Sequence, residues 1–252
     1  MSVGAFLINL DGSDTRRQSA VAQLETLGLA WMRVPAVDGR GLPVSTFDAY
    51  DDAAARRYMG RSMTGGEIAC HLSHAKAAQA FLDSDHALGL VLEDDFTLTD
   101  GAVEAMGPVL DWLSGDDAPA WELVNLGAHK RKISTPFAEV AGRTILRAHY
   151  FPMLGTAILM TRDAAARLVA DSAHIICPVD NHYRHWQTRT GRGLSVWPPL
   201  FRAGDHPSDI DARTRRADKT QRRATYGLAK QRRLWVDKAI ALAHKLGLAG
   251  RG

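Results

Sequence analysis

Three consecutive carboxylates, Glu93, Asp94 and Asp95, close the apolar run Leu88-Gly89-Leu90-Val91-Leu92. The run has the length and character of a buried strand. The carboxyl end of such a strand is where open α/β sheets place their ligands. Three acids there repel one another unless a positive group sits among them. A divalent cation held by oxygen ligands is the simplest such group, and a metal-bound diphosphate is a common reason to hold one. The competing reading is a solvated turn, since Asp is frequent in turns.

The elements around the acids support the first reading. Val3-Gly4-Ala5-Phe6-Leu7-Ile8-Asn9-Leu10 reads as a first buried strand, and Ser13 or Asp14 as the cap of a helix that ends at Gly28. Residues 31–37 read as a second strand closing on Asp38-Gly39. This βαβ unit favours a parallel sheet with its loops gathered at one edge. A short helix is expected over 53–58. Thr64 and Glu67 stand at capping-box spacing at the head of a helix running to the acidic strand. Further on, 101–113 reads as a helix, 121–126 as a strand, 133–140 and 144–151 as a hairpin, and 153–160 as a strand. A helix follows over 164–170, another opens at Pro178, and a last strand covers 194–200.

The 252 residues carry a net charge of +3 and 46% hydrophobic residues, enough for a sizeable core. The charge is unevenly placed. Residues 1–212 hold 19 Lys and Arg against 26 acids, whereas residues 213–252 hold 12 against 2. An acidic α/β domain over 1–212 and a basic helical tail over 213–252 are therefore expected. Cys70 and Cys177 form neither a metal pattern nor a disulfide framework, and suit a reducing compartment as structural cysteines. The stretch 3–10 is too short for a signal-peptide core and has no basic flank. No apolar stretch approaches the ~18–20 residues of a membrane span. A cytoplasmic protein is expected, or one that sits on a membrane without crossing it.

Several segments, taken in order, resemble glycosyltransferase family 25, the group containing bacterial lipooligosaccharide glycosyltransferases and the collagen galactosyltransferases. They are Phe6-Leu7-Ile8-Asn9-Leu10-Asp11 with Asp14-Thr15-Arg16-Arg17; Pro35-Ala36-Val37-Asp38-Gly39; Thr64-Gly65-Gly66-Glu67 through His71-Leu72-Ser73-His74; Leu90-Val91-Leu92-Glu93-Asp94-Asp95; Pro178-Val179-Asp180; and Ser208-Asp209-Ile210. The resemblance implies a GT-A-like fold, a single nucleotide-sugar-binding α/β domain with a mostly parallel central sheet. It also implies an inverting transfer of a hexose, often galactose, from a UDP-sugar to an acceptor hydroxyl. Two departures, Asn181-His182 after Asp180 and the absence of a tyrosine in Thr156-Ala157-Ile158-Leu159, bear on the acceptor rather than on donor chemistry.

Roles follow for individual residues. Breaking the bond to a diphosphate leaving group requires neutralising charge on the β-phosphate, for which Mn²⁺ or Mg²⁺ is expected. Alternation along a strand puts Glu93 and Asp95 on one side and Asp94 on the other. Asp95 is the expected direct metal ligand, with Glu93 counted in the metal site and in catalysis, orienting Asp95 or holding the sugar. Asp94 takes a ligand or supporting role if the strand ends before it. His206 is the candidate late ligand, with Asp205 and Asp209 as rivals. Inversion needs a general base for the acceptor hydroxyl, and Asp180 fits in type and place; a helix cap explains it too. Asn9, Asp11 and Arg16 follow the first strand, where a nucleotide would lie, and Arg16 or Arg17 has the fork that grips a diphosphate. Asp38 is placed to hold ribose hydroxyls, and Ser73 and His74 are further site candidates. The His71/His74 and His182/His185 spacings are weak metal signals.

In the tail, Arg215-Arg216, Arg222-Arg223 and Arg232-Arg233 precede Trp235, Ala239, Leu242 and Leu246 at helical spacing. Such a basic amphipathic helix suits an anionic inner leaflet and would bring the enzyme to a saccharide or lipid-linked saccharide acceptor; packing on the domain is the alternative. Two rival functions are a metal-dependent phosphoesterase or nuclease, and a nucleic-acid-binding protein acting through the tail. The acidic body and the lack of aromatics among the basic clusters argue against nucleic acid.

Overall fold

The apolar runs at Val3–Asn9 (β1), Ala30–Pro35 (β2) and Leu88–Glu93 (β3) lie side by side, β1 pairing in parallel with both of the others. The computed structural model describes residues 2–204 and 226–248. Helix α1 (Asp14–Thr26) makes the first crossover. Helices α2 (Asp52–Met59) and α3 (Gly65–Leu82) precede β3, and the short strand β4 (Phe96–Leu98) follows it. Then come α4 (Ala102–Ser114), β5 (Leu123–Asn125), the hairpin β6 (Thr135–Val140) and β7 (Arg143–Arg147), and β8 (Ala157–Thr161). Helices α5 (Arg162–Asp171) and α6 (Val179–Thr190), strands β9 (Gly193–Trp197) and β10 (Phe201–Ala203), and helix α7 (Tyr226–Lys245) complete the described chain.

Eight strands form one sheet in the order β2-β1-β3-β8-β5-β9-β7-β6. Strands β8 and β7 run against the other six. This is the expected α/β architecture, and it explains the near-continuous apolar runs, because both faces of the sheet are covered. Ala5 and Leu7 of β1, with Leu88, Leu90 and Leu92 of β3, face Ala20 and Leu24 of α1 and Met106 and Val109 of α4. Phe6, Ile8 and Val91 face the other way, against Ala77 and Phe81 of α3, Leu168 of α5, and Tyr183 and Trp186 of α6. Each such fully buried side chain contributes roughly 1.5–3 kcal/mol. The same period of two sends Glu93 to the α3 face, continuing the row of Val91.

Two local details place the site. Thr64 caps α3 through a complete capping box: its side chain accepts from the Glu67 amide and the Glu67 carboxylate accepts from the Thr64 amide. Glu67 also holds Arg61 at 2.6 and 2.8 Å. The first turn of α3 crosses the loop after β2 backbone to backbone, so closely that a Cβ on Gly65 would stand 2.5 Å from the Gly39 carbonyl oxygen. The glycines of the Asp38-Gly39 and Thr64-Gly65 motifs therefore meet each other, and Ser73 reinforces the crossing by accepting from the Val37 amide at 2.9 Å.

Elsewhere the structure departs from expectation. The strand expected over 153–160 begins only at Ala157, because the preceding segment is held as a loop by Asn125, whose side chain donates to the Leu154 carbonyl. The pair β4 and β10, three residues each, was too short to register as a periodic pattern. The described part of the tail packs on the domain, α7 lying against α2 and α6. Its anchor is Asp237, fully buried 2.9 Å from Arg189 and 3.8 Å from Arg184, with Ala241 buried one turn on. Nothing in this packing supports membrane binding through the tail, although Leu228, Trp235 and Leu246 stay exposed. No helix among the described residues is long and apolar enough to cross a membrane.

The glycine crossing yields a paired test. Gly65→Ala is expected to lower unfolding free energy by about 2 kcal/mol or more, because backbone must move. Gly66→Ala, which meets nothing within 4 Å, is expected to be neutral or stabilising by up to ~1 kcal/mol. Urea titration of the two variants decides; equal effects would refute the crossing as the constraint.

Candidate active site

Strand β3 ends at Glu93, so Asp94 and Asp95 sit in the turn to β4 and the three acids diverge. Each meets a different environment.

Glu93 points at α3. His74 Nε2 lies 3.2 Å from Glu93 Oε1, and the Cys70 thiol 3.9 Å from the same oxygen. His74 is fully buried, and its Nδ1 stands 3.1 Å from the Tyr183 hydroxyl. Burial, with Cys70 and Glu93 adding to it, raises the Tyr183 pKa well above its usual value. The phenol therefore keeps its proton, and the imidazole is held at both ring nitrogens, by the Tyr183 hydroxyl and by Glu93. Burial and the Glu93 charge likewise push the Cys70 thiol well up. Cys70, His74 and Glu93 are a set that could hold a metal by residue type, their ligand atoms lying within 4.8 Å of one another. In the metal-free protein the same contacts make His74 and Cys70 a clamp that fixes the Glu93 carboxylate.

Asp94 points to the first strand. Buried Asn9 donates to it at 2.6 Å, and Arg16 lies 3.5 Å from its other oxygen. Asn9 is itself fixed, donating to the Ser13 carbonyl at 3.1 Å and accepting from Arg33 at 2.9 Å. Asp94 is thereby neutralised by protein groups.

Asp95 has no such partner side chain among the described residues. Its Oδ1 is buried without a hydrogen bond among the described residues. Burial first, then the Glu93 and Asp94 charges, raise its pKa to about 6 against the pull of Arg16. A buried oxygen left bare in a crowd of carboxylates fits a cation site in donor type and in charge. The backbone beside it is tied down: the Gly204 amide donates to the Asp95 carbonyl at 2.5 Å, where β10 pairs with β4. His206, Asp205 and Asp209 lie outside the described residues.

Asp180 occupies the first turn of α6 and joins this group. It is not the helix cap, which is Pro178. Its carboxylate accepts from the Asn181 amide at 2.6 Å and the Asn181 side chain at 3.1 Å. Burial chiefly, and the Glu93 charge in part, raise its pKa. Glu93, Asp94, Asp95, Asn9, Arg16, His74 and Asp180 are thus gathered at one edge of the sheet.

Other candidates stand apart. Asp38 is exposed and clasped by Arg40, at 3.0 Å from the amide and 2.8 Å from the guanidinium, which lowers its pKa. Asp11 is exposed and paired with Arg33, whose charge lowers its pKa too. Ser73 is buried, with its hydroxyl engaged by the Val37 amide and the Ala69 carbonyl. His71 is fixed by the Cys177 carbonyl and Ser172, and so does not share a metal with His74. Sequence reasoning missed Cys70, Tyr183 and Arg33, which orient the acids from distant positions; the Cys70-to-His74 spacing of one helical turn was the only signal available.

The family model for glycosyltransferase family 25 (LPS biosynthesis protein) matches residues 3–183, which include β3, its acids and Asp180. Procollagen galactosyltransferase 1 of Danio rerio is 26% identical over 218 residues, covering 78% of this chain and 35% of the relative. Procollagen galactosyltransferase 2 of Mus musculus is 28% identical over 182 residues, covering 69% and 29%. The human inactive glycosyltransferase 25 family member 3 is 29% identical over 144 residues, covering 54% and 23%. The chain spans about a third or less of the length of these curated relatives. Among solved structures, a glycosyltransferase involved in the glycosylation of the major capsid of PBCV-1 aligns with 88% of this chain at a TM-score of 0.41 and 12% identity. By the extent of the family match, the chain belongs to glycosyltransferase family 25.

Proposed function

We propose that the protein is an inverting glycosyltransferase that moves a hexose, galactose first among the candidates, from a UDP-sugar to a saccharide hydroxyl. Relatives at similar identity include named galactosyltransferases and a protein named inactive. Family alone therefore does not decide activity. The observation that carries the reading is the buried, unpartnered Asp95 oxygen beside a neutralised Asp94 and a clamped Glu93.

Asp95 would hold a divalent cation, with His206 as a further ligand two residues beyond Gly204. When bound, Mn²⁺ or Mg²⁺ would offset the charge that grows on the departing β-phosphate. Arg16, already at the mouth of the group, would meet the diphosphate, and Asn9 would keep Asp94 and Arg33 in register beneath the nucleotide. Asp11 and Asp38, on exposed loops of the same edge, would meet the uridine and ribose.

Transfer requires the acceptor oxygen to attack the anomeric carbon as the bond from that carbon to the phosphate oxygen breaks. UDP leaves with the electron pair, and the hydroxyl proton passes to the Asp180 carboxylate. A base works best when its pKa lies near the working pH, and burial moves Asp180 in that direction. Glu93, held by His74 and Cys70, is placed to bind sugar hydroxyls. The family description, which names LPS biosynthesis, favours a setting in bacterial lipooligosaccharide or surface-polysaccharide synthesis, and a place on the cytoplasmic side of a membrane is part of the proposal. The exposed Leu228, Trp235 and Leu246 of α7 are the feature compatible with peripheral attachment.

Two variants test the assignment. An acid whose folded pKa lies near 6, above its unfolded value of about 3.9, weakens the fold once pH rises through that window. At pH 7 this penalty is roughly 1–3 kcal/mol, reduced by solvent where the group is not fully enclosed. Asp95→Asn is therefore expected to raise the melting temperature of the metal-free protein and abolish sugar transfer. A metal-free protein no more stable at pH 7, with wild-type transfer, would remove Asp95 from the site. Asp180→Asn is expected to lower transfer by ~10²–10⁴-fold with UDP-galactose affinity nearly unchanged. UDP release from UDP-galactose in the presence of a lipooligosaccharide acceptor preparation measures the rate. Transfer at the wild-type rate would exclude Asp180 as the base.

A further inference from the structure

A cleft of about 870 Å³ opens between α7 and the body of the domain, within the ~300–1,000 Å³ range of small-molecule sites. Arg131, Lys132 and Arg184 line it from the body, and Lys230, Lys238 and Lys245 from one flank of α7; among the described residues no Asp or Glu does. Arg61, also in the wall, is balanced by Glu67. Arg233, at the base, lies with its guanidinium over the Tyr58 ring, 4.9 Å from its centroid.

Among the described residues this charge is only partly balanced. The Arg184 side chain is only 3% exposed. It donates to Asn181 at 2.8 Å, while its Nε has no hydrogen-bond partner. The nearest carboxylate, Asp237 at 3.8 Å, is shared with Arg189. Lys132 and Arg184 both stand over the Tyr150 ring, 5.2 and 5.6 Å from its centroid. Burial, followed by the charges of Arg184, Lys130 and Lys238, lowers the Lys132 pKa. Like charges held this close are relieved by a multiply charged anion, and ammonium groups arrayed around a guanidinium suit the oxygens of a phosphate.

The cleft also adjoins the acids. Asn181 is in its wall and hydrogen-bonds Asp180. Met153 is in its wall too, and two residues on, at most ~7 Å along the chain, a Cβ on Gly155 would stand 3.0 Å from Glu93.

We propose that this cleft is an anion site that holds a phosphate or diphosphate group of the acceptor, so that one of the acceptor's hydroxyls falls at Asp180. The proposal rests on the transferase reading for the identity of the ligand, and on the cleft alone for its charge. It gives the docked tail a function: α7 supplies half of the cations.

The test is calorimetric titration of the full chain with inorganic pyrophosphate at low ionic strength in EDTA, and separately with UDP in the presence of Mn²⁺. Lys132→Gln/Lys238→Gln changes two exposed side chains and leaves the buried Asp237 anchor intact. It is expected to weaken pyrophosphate by about tenfold or more while UDP affinity stays within about twofold. Pyrophosphate bound equally well by the variant, or not at all by the wild type, overturns the proposal. Loss of UDP binding in both proteins, with the pyrophosphate difference intact, overturns the transferase reading and leaves the anion site standing. Flotation with phosphatidylcholine vesicles containing roughly 20 mol% phosphatidic acid separates the sources. Flotation that the variant loses assigns the phosphate to a lipid; its absence, with pyrophosphate bound, assigns it to a soluble acceptor.

Discussion

Three carboxylates at the end of one buried strand cannot all stay bare and charged, and the rest of the site is arranged around that repulsion. Protein groups resolve two of the three. Asn9 and Arg16 neutralise Asp94 from the first strand and the helix after it, while His74 and Cys70 clamp Glu93 from α3. Of the three, Asp95 keeps a buried oxygen with no hydrogen bond among the described residues, and burial with the neighbouring charges raises its pKa. A protein selected for stability alone would have no reason to keep that oxygen. The cost is intelligible as the preparation of a cation site, since strain and unpaired polar groups collect where ligands bind.

The sheet makes the arrangement possible. Strict alternation with both faces buried sends Glu93, the last residue of β3, to the α3 face, and the turn that follows releases Asp94 and Asp95 in other directions. Parallel pairing with β1 sets Glu93 beside Ile8, one residue before Asn9. The crossing of Gly39 and Gly65 then fixes the start of α3, and with it the two side chains, one helical turn apart, that hold Glu93. Fold and site depend on the same close contacts.

Much of this was legible from sequence because it is local. The capping box at Thr64 and Glu67, the βαβ opening and the acids at a strand end are patterns within a few residues, and each stands as read. What escaped was non-local. Nothing near Cys70 announces that it meets Glu93, and Tyr183 orients His74 from more than a hundred residues away. Strands β4 and β10 are too short to carry a period, yet their pairing closes the chain over Asp95. The tail left two readings open in sequence, a surface-seeking helix and a helix packed on the domain. Its many arginines and lysines suggested a surface-seeking helix, whereas one of its two acids, Asp237, docks α7 onto Arg189 and Arg184. In the described part of the tail the net sign did not announce this contact, because desolvated charges must be matched locally.

Transfer at this site requires that the acidic edge bind a nucleotide sugar together with a cation. The direct measurement is the melting temperature of the protein against UDP-, GDP-, CMP- and ADP-sugars, each with and without Mn²⁺, since a ligand bound only by the folded state must raise it. A rise with a UDP-hexose that requires Mn²⁺ is the predicted result. A folded sample that none of these sugars stabilises, with or without the metal, would contradict it.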